Sequence, residues 1–327
     1  MRILSADIGG TNTRLAVFEV ERGKPWKTLD QQVYPSASSD SLEKILHTFQ
    51  ERNGLQCTLA SIGLAGPVRG RKSRTTNLPW LVDAAALEKE MGYQACYLMN
   101  DLEANAYGIA ALPAEDIYVL SAGEPDPEGN ACIIAAGTGL GEAGMYWDGK
   151  SHRPFASEGG HASFGPSDEL QWHLLQFLQR RFGHVSWERV VSGPGLVNVY
   201  EFLLDHHRAP RPEWLHEEII QGKAAASVSK NALAEADEIS VEALDLFIRL
   251  YGAEAGNHGL KLMATAGVYV GGGIAPKILE RIKHGGFLHA MGSKGRMSAL
   301  VEKMPVYVIR NDQTALMGPV VYALTQS

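Results

Sequence analysis

One pattern occurs twice in this chain and leaves few folds open to it: a strand, a short glycine turn, and a second strand. Residues 2–8 read as a buried strand and 13–20 (Thr-Arg-Leu-Ala-Val-Phe-Glu-Val) as its partner, with Gly9-Gly10-Thr11-Asn12 between them. Strands are expected again at 131–136 and 141–147, around Gly137-Thr138-Gly139-Leu140. Two strands joined by a short glycine turn make a hairpin. Around the first hairpin we expect a strand near 28–34, a helix capped by Ser39 or Asp40 and running to about Arg52, and a strand at 58–65. A helix from Asp83 to about Met91, a strand at 94–99 and a helix opened by Asn100 follow. Around the second we expect strands at 116–121, 267–270 and 305–309, a last helix at 312–325, and a mostly helical stretch at 168–265 whose last helix starts near Ser240. This reads as a duplicated mixed α/β core with helices inserted in the second copy.

The turns also explain the composition. The chain has 327 residues and 35 glycines, where average usage gives roughly 23. The surplus has no collagen period and no low-complexity block, so it belongs to particular backbone positions. Glycines cluster at 9–10, 63 and 66, 137, 139 and 141, 159–160, and 271–273.

Other bounds narrow the class. The length suits about two domains. A net charge of −7 argues against a basic nucleic-acid face. The longest stretch without Asp, Glu, Lys or Arg, Asn53 to Val68, has 16 residues, short of the ~20 a membrane span needs. No apolar signal region opens the chain. Cys57, Cys96 and Cys132 are isolated, with neither disulfide nor zinc spacing. A reduced, cytoplasmic protein with no membrane and no nucleic-acid partner is the expectation.

Five segments have residue types that suit chemistry. In Asp7-Ile8-Gly9-Gly10-Thr11-Asn12-Thr13, a carboxylate ends a strand and glycines let backbone approach a ligand. Thr hydroxyls and successive N–H groups pointing into such a turn can bind an anion. Asp7 can hold a hydrated Mg²⁺, which takes one or two carboxylates plus phosphate. An ordinary hairpin turn fits equally well. Ala136-Gly137-Thr138-Gly139-Leu140-Gly141 is either a second phosphate turn or a glycine-rich hairpin; a strand follows it, so a dinucleotide-binding reading fails. Gly271-Gly272-Gly273-Ile274-Ala275-Pro276 is a tight strand-to-helix turn, or a bare backbone surface for a flat ring such as adenine, with Pro276 able to start a helix.

In Asn100-Asp101, Asn100 with Glu103 resembles a capping box. Asp101, at a strand's end, can instead accept a hydroxyl proton during phosphoryl transfer. Both readings can hold together. In Glu158-Gly159-Gly160-His161, the glycines let a carboxylate and an imidazole converge on a small polar ligand. Sugar hydroxyls both donate and accept, which suits that pair. Glu188 is a weaker sugar candidate, since Ser186 can cap a helix there and leave Glu188 as a first-turn acid. Gly144-Met-Tyr-Trp-Asp-Gly149-Lys150-Ser151 matches the P-loop pattern, but Asp148-Gly149 reads as a hairpin turn with a surface lysine, and Pro154 follows.

In this order, Asp7–Asn12, Leu64-Ala65-Gly66-Pro67, Asn100-Asp101, Gly137–Gly141, Glu158–His161, Gly183–Arg189, Ser192–Asn198 and Gly271–Pro276 closely resemble the motifs of bacterial glucokinases, in the actin-like sugar kinase superfamily. Each motif is weak alone; eight in order are specific and span nearly the whole chain.

The resemblance implies a two-domain actin-like (ribonuclease H-like) α/β fold with a cleft. It implies a small domain of 1–110 plus 312–327 and a large domain of 111–311 with helical insertions. It further implies ATP-dependent phosphorylation of glucose at O6, feeding glycolysis, by a homodimer. On this reading Asp101 is the catalytic base, and Asn100, Asp101, Glu158, His161 and Glu188 hold glucose. Asp7, Ile8, Gly9, Gly10, Thr11 and Asn12 face the phosphates, with Mg²⁺ bound to Asp7 through water. Gly137 and Thr138 form the second phosphate turn, and Gly271, Gly272 and Gly273 lie near adenosine.

The three scattered cysteines cannot supply the Cys-rich zinc motif of the related repressor-like kinases. With Asp7 so near the start of the sequence, the helical extension of the DNA-binding members is not expected. Two alternatives share these turns. A kinase of fructose, mannose or an N-acetylated hexosamine separates from a glucose kinase in a sugar-panel assay. A filament or chaperone ATPase would hydrolyse ATP without sugar, and has no use for Glu158–His161.

Overall fold

A computed structural model describes residues 1–21, 24–75 and 78–326. The chain divides into two compact units, Met1–Ala114 with Asn311–Ser327, and Glu115–Arg310.

In the first unit, strands β1 (Arg2–Ile8), β2 (Asn12–Glu19), β3 (Lys27–Pro35), β4 (Leu59–Leu64) and β8 (Ala95–Asn100) form one sheet in the order β3-β2-β1-β4-β8. The hairpin strands are antiparallel, whereas β1, β4 and β8 run parallel. Alternation along β1 decides what each face covers. Leu4, Ala6 and Ile8 pack with helices α1 (Leu42–Asn53) and α2 (Ala84–Met91). Ile3 packs on the other face with Leu316, Val320 and Ala323 of α12 (Thr314–Gln326). Strands β5 (Val68–Arg69), β6 (Lys72–Arg74) and β7 (Leu81–Asp83) form a small separate sheet.

The cap of α1 is Ser41, not Ser39 or Asp40; its side chain accepts from the Lys44 N–H. Asp83 caps α2 as expected. Helix α3 (Asp101–Ile109) follows β8 directly.

The second unit has strands β9 (Ile117–Ser121), β10 (Ala131–Ala136), β11 (Leu140–Trp147), β12 (His152–Ser157), β13 (Gly267–Gly271) and β14 (Val306–Ile309), in the order β12-β11-β10-β13-β14-β9. Leaving out the edge strand β9, the order and directions repeat those of the first unit. The duplicated core expected from the sequence is therefore present in the topology. Where the first unit inserts only α1 between its third and fourth strands, the second inserts α4 (Glu169–Phe182), α5 (Gly193–His206), α6 (Glu213–Ile220), α7 (Ala224–Leu233) and α8 (Glu238–Leu262).

Helix α8 begins two residues before Ser240, because Asp237 is its cap; Asp237 Oδ2 accepts from both the Ser240 N–H and its hydroxyl. Short helices α9 (Leu279–Ile282), α10 (Gly286–Gly292) and α11 (Ser298–Val301) precede β14. The P-loop look-alike is the turn of the β11–β12 hairpin: Asp148 Oδ1 accepts from the Lys150 and Ser151 N–H groups, and strand β12 follows, with Pro154 tolerated on the sheet edge. Among the described residues no helix is long and apolar enough to cross a membrane.

Candidate active site

In the first unit the parallel strands end level, with Ile8 opposite Leu64 and Leu64 opposite Asn100. Their C-terminal ends therefore place Asp7, the Gly9–Asn12 turn, Leu64–Pro67 and Asn100-Asp101 along one sheet edge. Open α/β sheets present ligand sites at this edge.

The first glycine turn is closed by the Gly9 N–H donating to the Asn12 carbonyl at 2.9 Å. It is fastened from the end of β3 by Ser36, which is fully buried. The Ser36 N–H donates to the Thr11 carbonyl at 2.9 Å, and its hydroxyl donates to the Gly9 carbonyl at 2.8 Å. Thr13 does not turn its hydroxyl into the loop as expected. It is buried, with Oγ1 3.0 Å from Ser36 Oγ, because it lies on the core-facing side of β2.

Asp7 is paired. Arg14 Nε and Nη2 each lie 2.8 Å from its Oδ2, and Arg14 Nη1 lies 3.0 Å from Asp312 Oδ2. Sequence reading passes over Arg14, although the hairpin register that pairs Ile8 with Thr13 also sets Arg14 opposite Asp7. The residues present fit a hydrated Mg²⁺: the pairing contacts use Oδ2, leaving Oδ1 as the donor oxygen. Among the described residues no group of three or more metal-ligating side chains forms a protein cage. One carboxylate with water and phosphate is the usual Mg²⁺ arrangement.

Asn100 caps α3 as expected. Its Oδ1 accepts from the Leu102 N–H at 2.9 Å, and Glu103 Oε2 accepts from the Asn100 N–H at 3.0 Å. Asp101 opens the helix, and its Oδ1 accepts from the Leu102 N–H at 3.0 Å. Its backbone is clamped through a chain of two bonds: the Asp101 carbonyl accepts from Asn105 Nδ2 at 2.9 Å, and Asn105 is held in turn by the Thr314 hydroxyl, which donates to its Oδ1 at 2.8 Å. Gly108 and Gly318 let α3 and α12 touch backbone to backbone; a Cβ on either would overlap the other helix.

The Gly63–Gly66 segment, whose role the sequence does not explain, supports the same helix. A Cβ on Gly63 would come within 2.9 Å of the Ala104 Cβ, and the Gly66 carbonyl accepts from Asn100 Nδ2 at 3.5 Å.

In the second unit the Gly137 N–H donates to the Gly139 carbonyl, and the Gly193 N–H donates to the Gly137 carbonyl, both at 2.8 Å. Glu188 lies against this turn: its Oε2 accepts from the Leu140 N–H at 3.0 Å. It sits in a short 3-10 helix, Trp187–Arg189, where the Ser186 side chain makes no cap bond. Ser186 is thus not the side-chain cap expected.

Gly271–Gly273 abuts the same turn. Gly272 has a φ of +79°, and a Cβ there would overlap the Ala136 backbone. Tyr251 bolts the two strand ends together. Its hydroxyl lies 3.2 Å from the Ile134 and Gly271 carbonyls and from the Ala136 N–H. Pro276 lies in the first turn of a 3-10 segment, Ala275–Ile278, that runs directly into α9.

Glu158 precedes, and His161 ends, a 3-10 turn, Gly159–His161. The Glu158 Oε2 and His161 Nε2 atoms lie 4.0 Å apart, on side chains 77% and 61% exposed. The two side chains therefore converge in the open, where a ligand can reach both. The glycine pair does this by close seating: a Cβ on Gly159 would overlap the Glu142 carboxyl, and one on Gly160 the Leu140 carbonyl. Sequence reading also passes over Glu142. The second unit thus brings together Gly137-Thr138, Gly271–Gly273 and Glu188 around the β10 and β13 ends, with Glu158 and His161 on the adjoining β11–β12 side.

A family model for glucokinase matches residues 4–326. The chain is 40% identical over 330 residues to the glucokinase of Nostoc punctiforme, covering 97% of each. It is similar to the crystal structure of a glucokinase from an Antarctic psychrotroph, with a TM-score of 0.86 and 28% identity over 100% of this chain and 99% of that one. A ROK family glucokinase from Streptomyces griseus, solved in complex with glucose and AMPPNP, shares the fold at a TM-score of 0.65 and 18% identity, covering 100% of each.

Proposed function

The chain belongs to the glucokinase family, and from that premise we propose how its residues move the γ-phosphoryl group of ATP to O6 of glucose. The enzyme is a glucose kinase, a phosphotransferase, with the two-domain α/β fold of the actin-like sugar kinases.

Asp101 is the general base. Its carboxylate takes the proton of the O6 hydroxyl as that oxygen attacks the γ-phosphorus and the bond to the ADP oxygen breaks. Glucose 6-phosphate and ADP leave, with the proton left on Asp101 to be lost to water. The observation that carries this assignment is the clamp on the Asp101 backbone by Asn105 and Thr314. Phosphoryl transfer depends mainly on positioning and charge stabilisation, and a base fixed at a helix start meets that need.

Asn100 donates to the sugar while capping α3. Glu158, His161 and Glu188 hold the remaining hydroxyls, Glu as acceptor and His as donor or acceptor. Gly9–Asn12 and Gly137-Thr138 offer backbone N–H groups and a hydroxyl to the phosphates, and Gly271–Gly273 offer a bare surface to the adenosine. Asp7 would hold Mg²⁺ through water; when bound, that ion neutralises phosphate charge.

Asp101→Asn is expected to lower kcat by at least ~10²-fold, the low end for a general base, with an unchanged circular dichroism spectrum. A near-normal kcat would reduce Asp101 to a helix-opening residue.

Specificity for glucose over fructose, mannose and N-acetylated hexosamines is part of the proposal. A coupled assay across these sugars tests it, and activity on another hexose without activity on glucose would overturn it. The proposal extends to a cytoplasmic homodimer, in keeping with three free thiols. Sedimentation of a monomer at assay concentrations would remove the dimer.

A further inference from the structure

Glu142 is a buried carboxyl that this mechanism leaves without a task. It follows the second glycine turn on β11 and is 1% exposed. Its Oε2 occupies the space that a Cβ on Gly159 would need, so it lies directly under the loop bearing Glu158 and His161. The same oxygen is 3.3 Å from Nδ1 of His258 on α8. His258 Nε2 is 3.2 Å from the Ala143 carbonyl.

A carbonyl can only accept, so Nε2 carries a hydrogen. In a neutral imidazole Nδ1 is then an acceptor. The proton held here therefore belongs to Glu142, a carboxylic acid that contacts Nδ1 of His258 and shares a hydrogen bond with Glu254. Burial disfavours the charged form of both groups. It raises the Glu142 carboxyl to about 8, helped by the Glu254 carboxylate, and lowers the His258 imidazole to about 4.

Glu254, His258, Lys261 and Tyr251 face Glu142 from α8, and Cys132 faces it from β10. Lys261 alone among them favours the carboxylate. Lys294 joins the group through Asn257 and acts on Glu254.

We propose that Glu142 is a positioning residue for glucose: as a carboxylic acid set against His258 and Glu254, it ties the Gly159 loop to α8 and holds Glu158 and His161 where the sugar meets them. This rests on Glu158 and His161 being sugar ligands. Loss of the Glu142 proton puts a negative charge beneath the loop and beside Glu254, which loosens the seat. Glucose binding should therefore weaken on the alkaline side of neutrality, whereas ATP binding should not.

The test is steady-state kinetics on the full chain from pH 6.5 to 9, with Glu142→Ala, Glu142→Gln and Glu158→Ala. Glu142→Ala should raise the glucose KM about fivefold, the scale of one lost hydrogen bond, with the ATP KM unmoved. Glu142→Gln keeps a neutral donor and should restore the glucose KM. It should also abolish the alkaline rise in glucose KM expected of the wild type. Equal rises in both KM values, or the same alkaline profile in wild type and Glu142→Gln, would overturn the proposal. If Glu142→Ala does not fold, the profile of the Gln variant decides alone. An unchanged glucose KM in Glu158→Ala would instead remove the sugar-ligand reading. A raised value there with an indifferent Glu142 would remove only the positioning role.

Discussion

The turns at Gly9–Asn12 and Gly137–Gly139 join equivalent strands of two sheets with the same order, yet they are fastened by opposite means. The first is held by a neutral hydroxyl, Ser36, with a cation, Arg14, on the adjoining Asp7. The second is held by a carboxylate, Glu188, and by the neighbouring glycine turn. A strand–turn–strand sequence thus specifies the turn but not what steadies it.

The glycines themselves also differ. At Gly63, Gly159, Gly160 and Gly272 a Cβ would collide with the protein, while at Gly137 and Gly273 it would meet nothing within 4 Å. At Gly137 and Gly273 neither packing nor a positive φ requires glycine, and the proposed approach of the nucleotide would use that bare backbone.

Substitutions can break this distinction. Gly272→Ala should have the largest effect on stability. A left-handed φ and a collision with Ala136 together cost on the order of 3 kcal/mol, read as an earlier urea transition. Wild-type stability there would mean that the two turns of the second unit do not brace each other. Ser36→Ala should come next. It leaves the Gly9 carbonyl and the Thr13 hydroxyl without their partner, for a loss of about 2 kcal/mol, and a smaller loss would show the first turn to be self-supporting. Gly137→Ala should move stability least, by under ~1 kcal/mol, yet raise the ATP KM while sparing the glucose KM. If the ATP KM does not move, the second turn is a hairpin and no more.

Much of this was legible in the residues because the deciding forces are local. The paired hairpins follow from alternation and glycine. The Asn100 capping box follows from a three-residue spacing to Glu103, and the P-loop look-alike is dismissed by the proline and turn residues near it. Local choices between near-equal candidates were harder. Ser39, Asp40 and Ser41 all suit a cap, and only the approach of the chain selects Ser41, with the Ser39 hydroxyl left to serve the Ser41 backbone. The α8 start, expected near Ser240, is likewise set by a nearby cap, Asp237. The supports of the site were not legible at all, because they come from far along the chain. Ser36, Tyr251, His258 and Thr314 act on the turns and on α3 through tertiary contacts that no window of sequence contains. Arg14 is the exception, since a hairpin register predicts its partner.

The clamp on Asp101 has a consequence for how the molecule is made. Asn105 and Thr314 are 209 residues apart, and the helix that supplies Thr314 covers one face of the first sheet. A ribosome delivers that helix only after the whole second unit has been made. The second unit is a single uninterrupted stretch of chain and can therefore finish first, reversing the usual order in which N-terminal domains fold ahead of later ones. Until α12 emerges, Ile3, Ala16 and Phe18 lack their cover and the proposed base lacks its anchor. On the proposed role of Asp101, a nascent chain is kept from phosphorylating sugar until α12 has docked on the first sheet.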